Sequence, residues 1–309
     1  MLFEIVNYII IASVIRIAIL IVVNAFTGST AIDTSTDIGY GATLLINSAV
    51  SYIVPSLVTY GIFRKELHET KRLVPYLREP GDMVLLFFAG GCLSRTGSIV
   101  TVYISNFMNV LFNVPEPEAA FSDMMSQNMT QFLTFEFFSV IVAPICEEVI
   151  YRHLLLRPMR KYGDLSAAII SSLVFAISHF NFDQFLYTFF FGFALATAAI
   201  RRNSVKPAII FHIINNLLAG LSAYVPETFG NAAADSIFAG LSTLADIAGM
   251  LLLYGGAIAV ILACFKHLFT FKQPYLIPDK QQLKVIFTTP LVLIAIAASL
   301  ALTFYLLYI

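Results

Sequence analysis

The sequence predicts an all-α polytopic membrane protein, a bundle of eight or nine transmembrane helices around a polar intramembrane cavity. Three observations predict it. Apolar residues make up 59% of the 309-residue chain and charged residues only 12%, against roughly half and a quarter in soluble domains. The mean hydropathy of +0.84 comes in long apolar runs, not in the short alternating segments of a β-barrel. The few ionisable groups inside those runs, led by Glu147, Glu148 and Arg152, are too costly at membrane depth to be incidental. Eight or nine spans of roughly 20 residues use up the chain. Residues 1–309 are therefore expected to form a single membrane-embedded domain with no soluble domain beside it.

Taken in order, the expected spans are 3–25, 39–63, 83–112, 131–156, 165–180, 184–200, 207–223, 237–265 and 285–308. The first has neither a basic n-region nor an A-x-A site, so it reads as a retained span and not a cleaved signal. The third is long and carries Gly90, Gly91 and Gly97, which predict a break at its middle, with Arg95 at that break. Arg95 is read as a buried arginine held by a carboxylate or by carbonyls, with a substrate-carboxylate contact as the alternative. Arg16, in the first span, is expected to have a partner or a water-filled cavity and is assigned no role. The short turn Asn181-Phe182-Asp183 suits a re-entrant or shallow helix over 181–200 as well as a full span, which is the difference between eight and nine.

Charge sets the orientation. Fifteen of the eighteen basic residues fall in loops 64–82, 157–164, 201–206 and 266–284, and the other three lie inside spans. The alternate loops 26–38, 113–130, 181–183 and 224–236 hold no lysine or arginine and carry acids instead. Basic loops stay inside, so the N-terminus is expected in the cytoplasm. The net charge of −1 carries no information about partners. Cys92, Cys146 and Cys264 lie in apolar segments without a pairing pattern and read as buried structural thiols.

The stretch Pro144-Ile145-Cys146-Glu147-Glu148-Val149-Ile150-Tyr151-Arg152 is set in a run that is otherwise greasy on both sides, from Phe132 to Val142 and from Leu154 to Leu156. Glu148 and Arg152 are four apart, so a helix puts them on one face with the acid first, the better order for a pair. Glu147 points elsewhere and is left as a candidate acid or base. Two more spans carry histidines, in Phe175-Ala176-Ile177-Ser178-His179 and in His212-Ile213-Ile214-Asn215-Asn216. His68 and His267 fall in cytoplasmic loops, and His153 falls near the end of its span. Gathering Glu147, His179, His212 and Asn216 in one cavity satisfies all four polar groups at the lowest cost. Such a set supports two chemistries. A glutamate beside a histidine can deprotonate water, while a histidine and an amide one turn apart suit a developing oxyanion. Alternatively, Glu147, His179 and His212 form a His₂Glu zinc set. No H-E-x-x-H helix, G-x-S-G serine context or intramembrane aspartate pair is present.

These three segments resemble the signature of the CPBP intramembrane proteases, which include the type II CAAX prenyl endopeptidases and are also called the Abi family: E-E-x-x-x-R, F-x-x-x-H and H-x-x-x-N, in that order. They read here as Glu147 to Arg152, Phe175 to His179 and His212 to Asn216, within a core of about 131–223. The resemblance implies an intramembrane endopeptidase, of a family often labelled metalloendopeptidase, that cuts near the C-terminus of lipid-modified proteins or processes or confers immunity to peptide bacteriocins. It implies that Glu147 and His179 activate water, that His212 and Asn216 stabilise the oxyanion, and that Glu148 and Arg152 support them. A glutamate-activated water without metal is favoured, with zinc as the alternative. The expected setting is a bacterial plasma membrane, the expected partners are membrane lipid and a peptide or lipid-modified protein substrate, and no nucleic acid is expected. Two rival readings are a non-catalytic scaffold or bacteriocin-immunity protein and a proton-coupled transporter. Neither explains the set as well: a scaffold has no need of both histidines and Asn216, and matched broken helices of the transporter kind are absent from the sequence.

Overall fold

The structure is a computed structural model that describes residues 35–53, 56, 57, 60, 61, 64, 80–112, 128–160, 163–179, 182–224 and 230–271. Every element among them is helical. The expected spans 3–25 and 285–308, and with them Arg16, lie outside the described residues, as does His68.

Helix α1, Asp37–Ser48, is capped by the Thr36 hydroxyl, which accepts from the Gly39 amide at 3.1 Å, and it runs on into a π-helical turn, Ala49–Ile53. Helix α2 spans Pro80–Phe112. A composite rod follows: α3 Met129–Glu136, a π segment Phe137–Val142, α4 Ala143–Glu148, a second π segment Val149–Leu156, and α5 Arg157–Met159. Gly163, at φ 146°, makes the reversal into α6, Asp164–Ile177, in a conformation that side-chain-bearing residues avoid. Then come α7 Phe182–Arg202, α8 Lys206–Ser222 and α9 Ala232–Phe265.

Helix α7 is the hub. One side of it, at Ala196 and Ile200, packs into a core with Ile150, Leu155, Ala167 and Ile170 of the rod and α6. The other, at Phe191, Leu195 and Ala199, packs with Leu86, Phe211 and Ala259 of α2, α8 and α9. In its most apolar stretch 61% of α7 is buried, against 22% for α9, whose Leu244, Leu251, Tyr254 and Ile258 face outward as lipid-contacting groups would. Among the described residues three helices are long and apolar enough to cross a membrane: Pro80–Phe107, Gln184–Arg202 and Ala232–Phe265. The chain is a membrane protein, helical in every element described.

One open point narrows and one expectation changes. Over 181–200, where a shallow helix and a full span both stood open, α7 has 21 residues, roughly 30 Å at 1.5 Å per residue, long enough for a span, and runs through the centre. The third expected span is not broken at its glycines; α2 is a continuous helix of 33 residues. Its glycines make room for neighbours. A Cβ at Gly90 would lie 2.6 Å from that of Ala194, and one at Gly97 would lie 2.9 Å from the Tyr187 backbone, both on α7. Gly91 does the same for Leu252 of α9, at 3.1 Å. Membrane helices without a hydrophobic drive to associate rely on such close approach. Arg95 therefore sits on an intact helix, with its guanidinium against Gly249 of α9. Cys92 is buried, whereas Cys146 is half-buried and Cys264 faces outward, so the three are not uniformly core thiols.

The basic end is stitched together. Arg160 pairs with Asp164 at 2.7 Å and donates to Asn203 Oδ1 at 2.9 Å. Arg201 donates to the carbonyls of His267, Leu268 and Thr270 beyond α9, and Lys266 reaches Asp82 of α2 at 2.7 Å. The basic residues that set the orientation thus also tie helix ends to one another.

Gly97→Val is expected to destabilise the fold by about 1–3 kcal/mol through overpacking against α7, measured as a lower melting temperature in detergent. Wild-type stability would mean that the α2–α7 contact can widen freely.

Candidate functional site

The two π segments of the rod each run up to a proline, Pro144 and Pro158. Proline has no N–H to give and its ring crowds the carbonyl one turn back; widening that turn to the π register is one relief, and such bulges recur at functional sites. In the first segment the Ala143 amide bonds to the Phe138 carbonyl, five residues back. The next donor in that register, to the Ser139 carbonyl, would be residue 144, a proline. The Ser139 carbonyl is instead taken by Asn216 Nδ2 of α8, at 2.9 Å. That contact fixes the Asn216 amide and leaves its second N–H for the cavity that Asn216 lines.

Glu148 and Arg152 form an ion pair, Oε2 to Nε at 3.1 Å, with both side chains fully buried. The other oxygen of Glu148 meets Nδ1 of His212 at 3.0 Å. Arg152 also donates to the Gly192 carbonyl of α7 at 3.0 Å, and its guanidinium lies 4.7 Å from the centre of the Phe175 ring. A side chain at Gly192 would meet both Arg152 and Phe175, its Cβ falling 2.9 Å from the Phe175 ring. Phe175 also presents its ring edge-on to His179, at 4.8 Å, and to His212, at 5.7 Å. The motif phenylalanine is thus the packing centre for the arginine and both histidines.

Glu147 accepts a hydrogen bond from the Tyr52 hydroxyl at 2.9 Å, and its second oxygen lies 3.7 Å from His212 Nε2. On α6, His179 Nδ1 meets the Phe175 carbonyl at 2.8 Å. A carbonyl can only accept, so Nδ1 carries the proton and Nε2 is left as an acceptor. Glu147, His179, His212 and Asn216 all line one cavity of 490 Å³, so the four residues picked out in the sequence come together; Glu148 and Arg152 lie behind its wall.

Among the described residues no three His, Cys, Asp or Glu side chains gather as ligands of one ion. His212 has Nδ1 on Glu148 and Nε2 3.7 Å from a Glu147 oxygen, an arrangement that a zinc ligand also adopts.

Among the further polar groups that line the cavity or touch it, two bear on Glu147 and on the charge of the cavity. Tyr52, on the π turn after α1, carried no signal in the sequence, since nothing local marks a tyrosine that reaches Glu147 across 95 residues. Glu136 lies within the run read as greasy, yet its carboxylate lines the same cavity. The rule that singled out Glu147, the cost of an ionisable group at membrane depth, applies equally to it.

Residues 129–218 match the family model described as type II CAAX prenyl endopeptidase Rce1-like. The match opens on the first residue of α3 and closes two residues past Asn216. No curated protein and no solved structure matches the chain.

Arg152→Ala leaves Glu148 without its buried cation, and the expected loss is about 3–5 kcal/mol, measured by thermal unfolding in detergent. A melting temperature equal to wild type would mean that the pair contributes nothing to stability.

Proposed function

We propose, from the premise that the core at residues 129–218 belongs to the Rce1-like type II CAAX prenyl endopeptidase family, that this chain is an intramembrane endopeptidase in which Glu147 activates the attacking water. The observation that carries this reading is the 490 Å³ cavity lined by Glu147, two histidines and an amide, with the amide of Asn216 held by the Ser139 carbonyl.

Glu147 takes a proton from water, and the hydroxide oxygen adds to the carbonyl carbon of the scissile amide. His179, whose Nδ1 donates to the Phe175 carbonyl, presents Nε2 as an acceptor that orients that water. The carbonyl oxygen becomes an oxyanion, for which Asn216 offers its second N–H. His212 donates from Nε2 only as an imidazolium, since Nδ1–H is committed to Glu148, and the two glutamates balance that charge. The oxyanion then reforms the carbonyl, the C–N bond breaks, and Glu147 returns its proton to the leaving nitrogen. Tyr52 holds Glu147 in position. No step needs a metal, so zinc is not assigned a role.

In this reading the chain is one membrane-embedded domain of eight or nine spans in a bacterial plasma membrane, with its N-terminus in the cytoplasm. A prenylated CAAX protein is not expected in that setting. The substrate is then a peptide or a membrane-bound protein segment, entering the cavity from the cytoplasmic water that hydrolysis consumes.

Glu147→Gln should leave the melting temperature near that of wild type and abolish peptide cleavage in detergent, with wild-type cleavage unaffected by a strong chelator. Residual activity close to wild type would remove Glu147 from its role, and chelator-sensitive cleavage with stoichiometric zinc would restore the metal reading. Tyr52→Phe removes a hydrogen bond to a charged group, so kcat should fall about tenfold with KM little changed. An unchanged kcat would leave Tyr52 as packing alone.

A further inference from the structure

The cavity holds a second acid that the hydrolysis above does not use. Glu136 is the last residue of α3, and one of its carboxylate oxygens, Oε2, is buried with no hydrogen-bond partner among the described residues. It sits against Gly220 of α8, where a Cβ would fall 2.6 Å from the carboxyl carbon and as close or closer to each oxygen. Only glycine at that position lets the carboxylate lie where it does. Among the described residues no lysine or arginine lines the cavity, while the rings of Phe132, Phe135 and Tyr187 do. An acid without a cation, in an aromatic-walled cavity, is built to receive a positive group from outside.

We propose that Glu136 forms a subsite for a cationic group of the substrate, a lysine or arginine side chain or a free amine, and so sets specificity in the hydrolysis proposed above, on which this inference rests. Glu136 and Glu147 are eleven residues apart on the same rod, roughly 16 Å at helical rise. An extended peptide advances about 3.3 Å per residue, which puts the cation about three to five residues from the scissile bond. Paired with that cation, the buried Oε2 of Glu136 would gain the partner it lacks among the described residues, and the uncharged alternative would leave that oxygen unpartnered. Discrimination would come from that loss more than from attraction at a distance.

The test uses the full chain in detergent and a set of Ala/Leu host peptides, each with one lysine, or norleucine in its place, at successive positions two to six residues from the scissile bond. One or two adjacent positions should show kcat/KM about tenfold or more higher with lysine, carried by KM. Glu136→Gln should bring that ratio to about one, and Glu136→Asp should keep part of it. A flat scan in wild type, or a preference that survives in the glutamine variant, overturns the proposal. The same lysine and norleucine peptides, dansyl-labelled, are also titrated into Glu147→Gln by fluorescence anisotropy. Tighter binding of the lysine form, lost when Glu136→Gln is added, supports the subsite, and equal binding refutes it. If wild type cleaves no peptide the endopeptidase reading fails by itself, and the binding titration still decides the subsite.

Discussion

The buried carboxylate of Glu148 is the constraint on which the rest of the site depends. It lies with no exposed surface between Arg152 and His212, one oxygen to each. Burying a carboxylate and a guanidinium costs several kcal/mol per ion unless both are partnered, and each partner here comes from a different helix or recruits one. Arg152 needs a carbonyl from α7, which requires Gly192, and an aromatic face from α6, which is Phe175. His212 brings α8. Four elements are thereby tied at the depth where Glu147 needs fixed neighbours, and the cost of the ion pair is offset by partners that also define the cavity wall.

The rod supplies the other half of the positioning. A regular α-helix would engage the Ser139 carbonyl with a backbone amide and leave Asn216 to find another partner. Pro144, coming after a π turn, takes that amide away, and the Asn216 side chain replaces it. In the second π segment the Ser171 hydroxyl of α6 likewise donates to a backbone carbonyl of the rod, that of Tyr151, at 2.8 Å. Irregular backbone at membrane depth is tolerated when protein groups satisfy what it frees. In this chain those groups are the residues that orient the cavity.

How much of this was legible in the sequence depended on range. The Glu148–Arg152 contact follows from a spacing of four, and the membrane class from composition, because both are local or global averages. The orderly spacing of His212 and Asn216 pointed to one helical face, and the cavity has both on its wall. Three features were not legible. The glycines of α2 looked like a break because sequence shows only the missing side chain, not Ala194, Leu252 and Tyr187 filling the space. Whether α7 is a shallow helix or a full span stays open in the sequence because Asn181 to Asp183 leave its start undefined, whereas the structure gives it 21 residues, a length sufficient to span. Tyr52 was invisible for lack of any local pattern. Glu136 is a different kind of miss: the physical rule covered it, and the apolar residues around it concealed it.

That last pair bears on where specificity resides. The four residues assigned to bond cleavage lie within 129–218, the segment that matches the family, and so does Glu136. Tyr52 lies outside it, yet it touches Glu147 directly. The wall facing Glu136 is Gly220, also just beyond the match. In the proposed reading the groups assigned to cleavage lie in one segment and are bordered by contacts from elsewhere in the chain, so the borders can vary while those groups stay fixed. A change at Gly220 then bears first on Glu136, because Phe175, Glu148 and Ser139, which hold His179, His212 and Asn216, all lie within the matched segment.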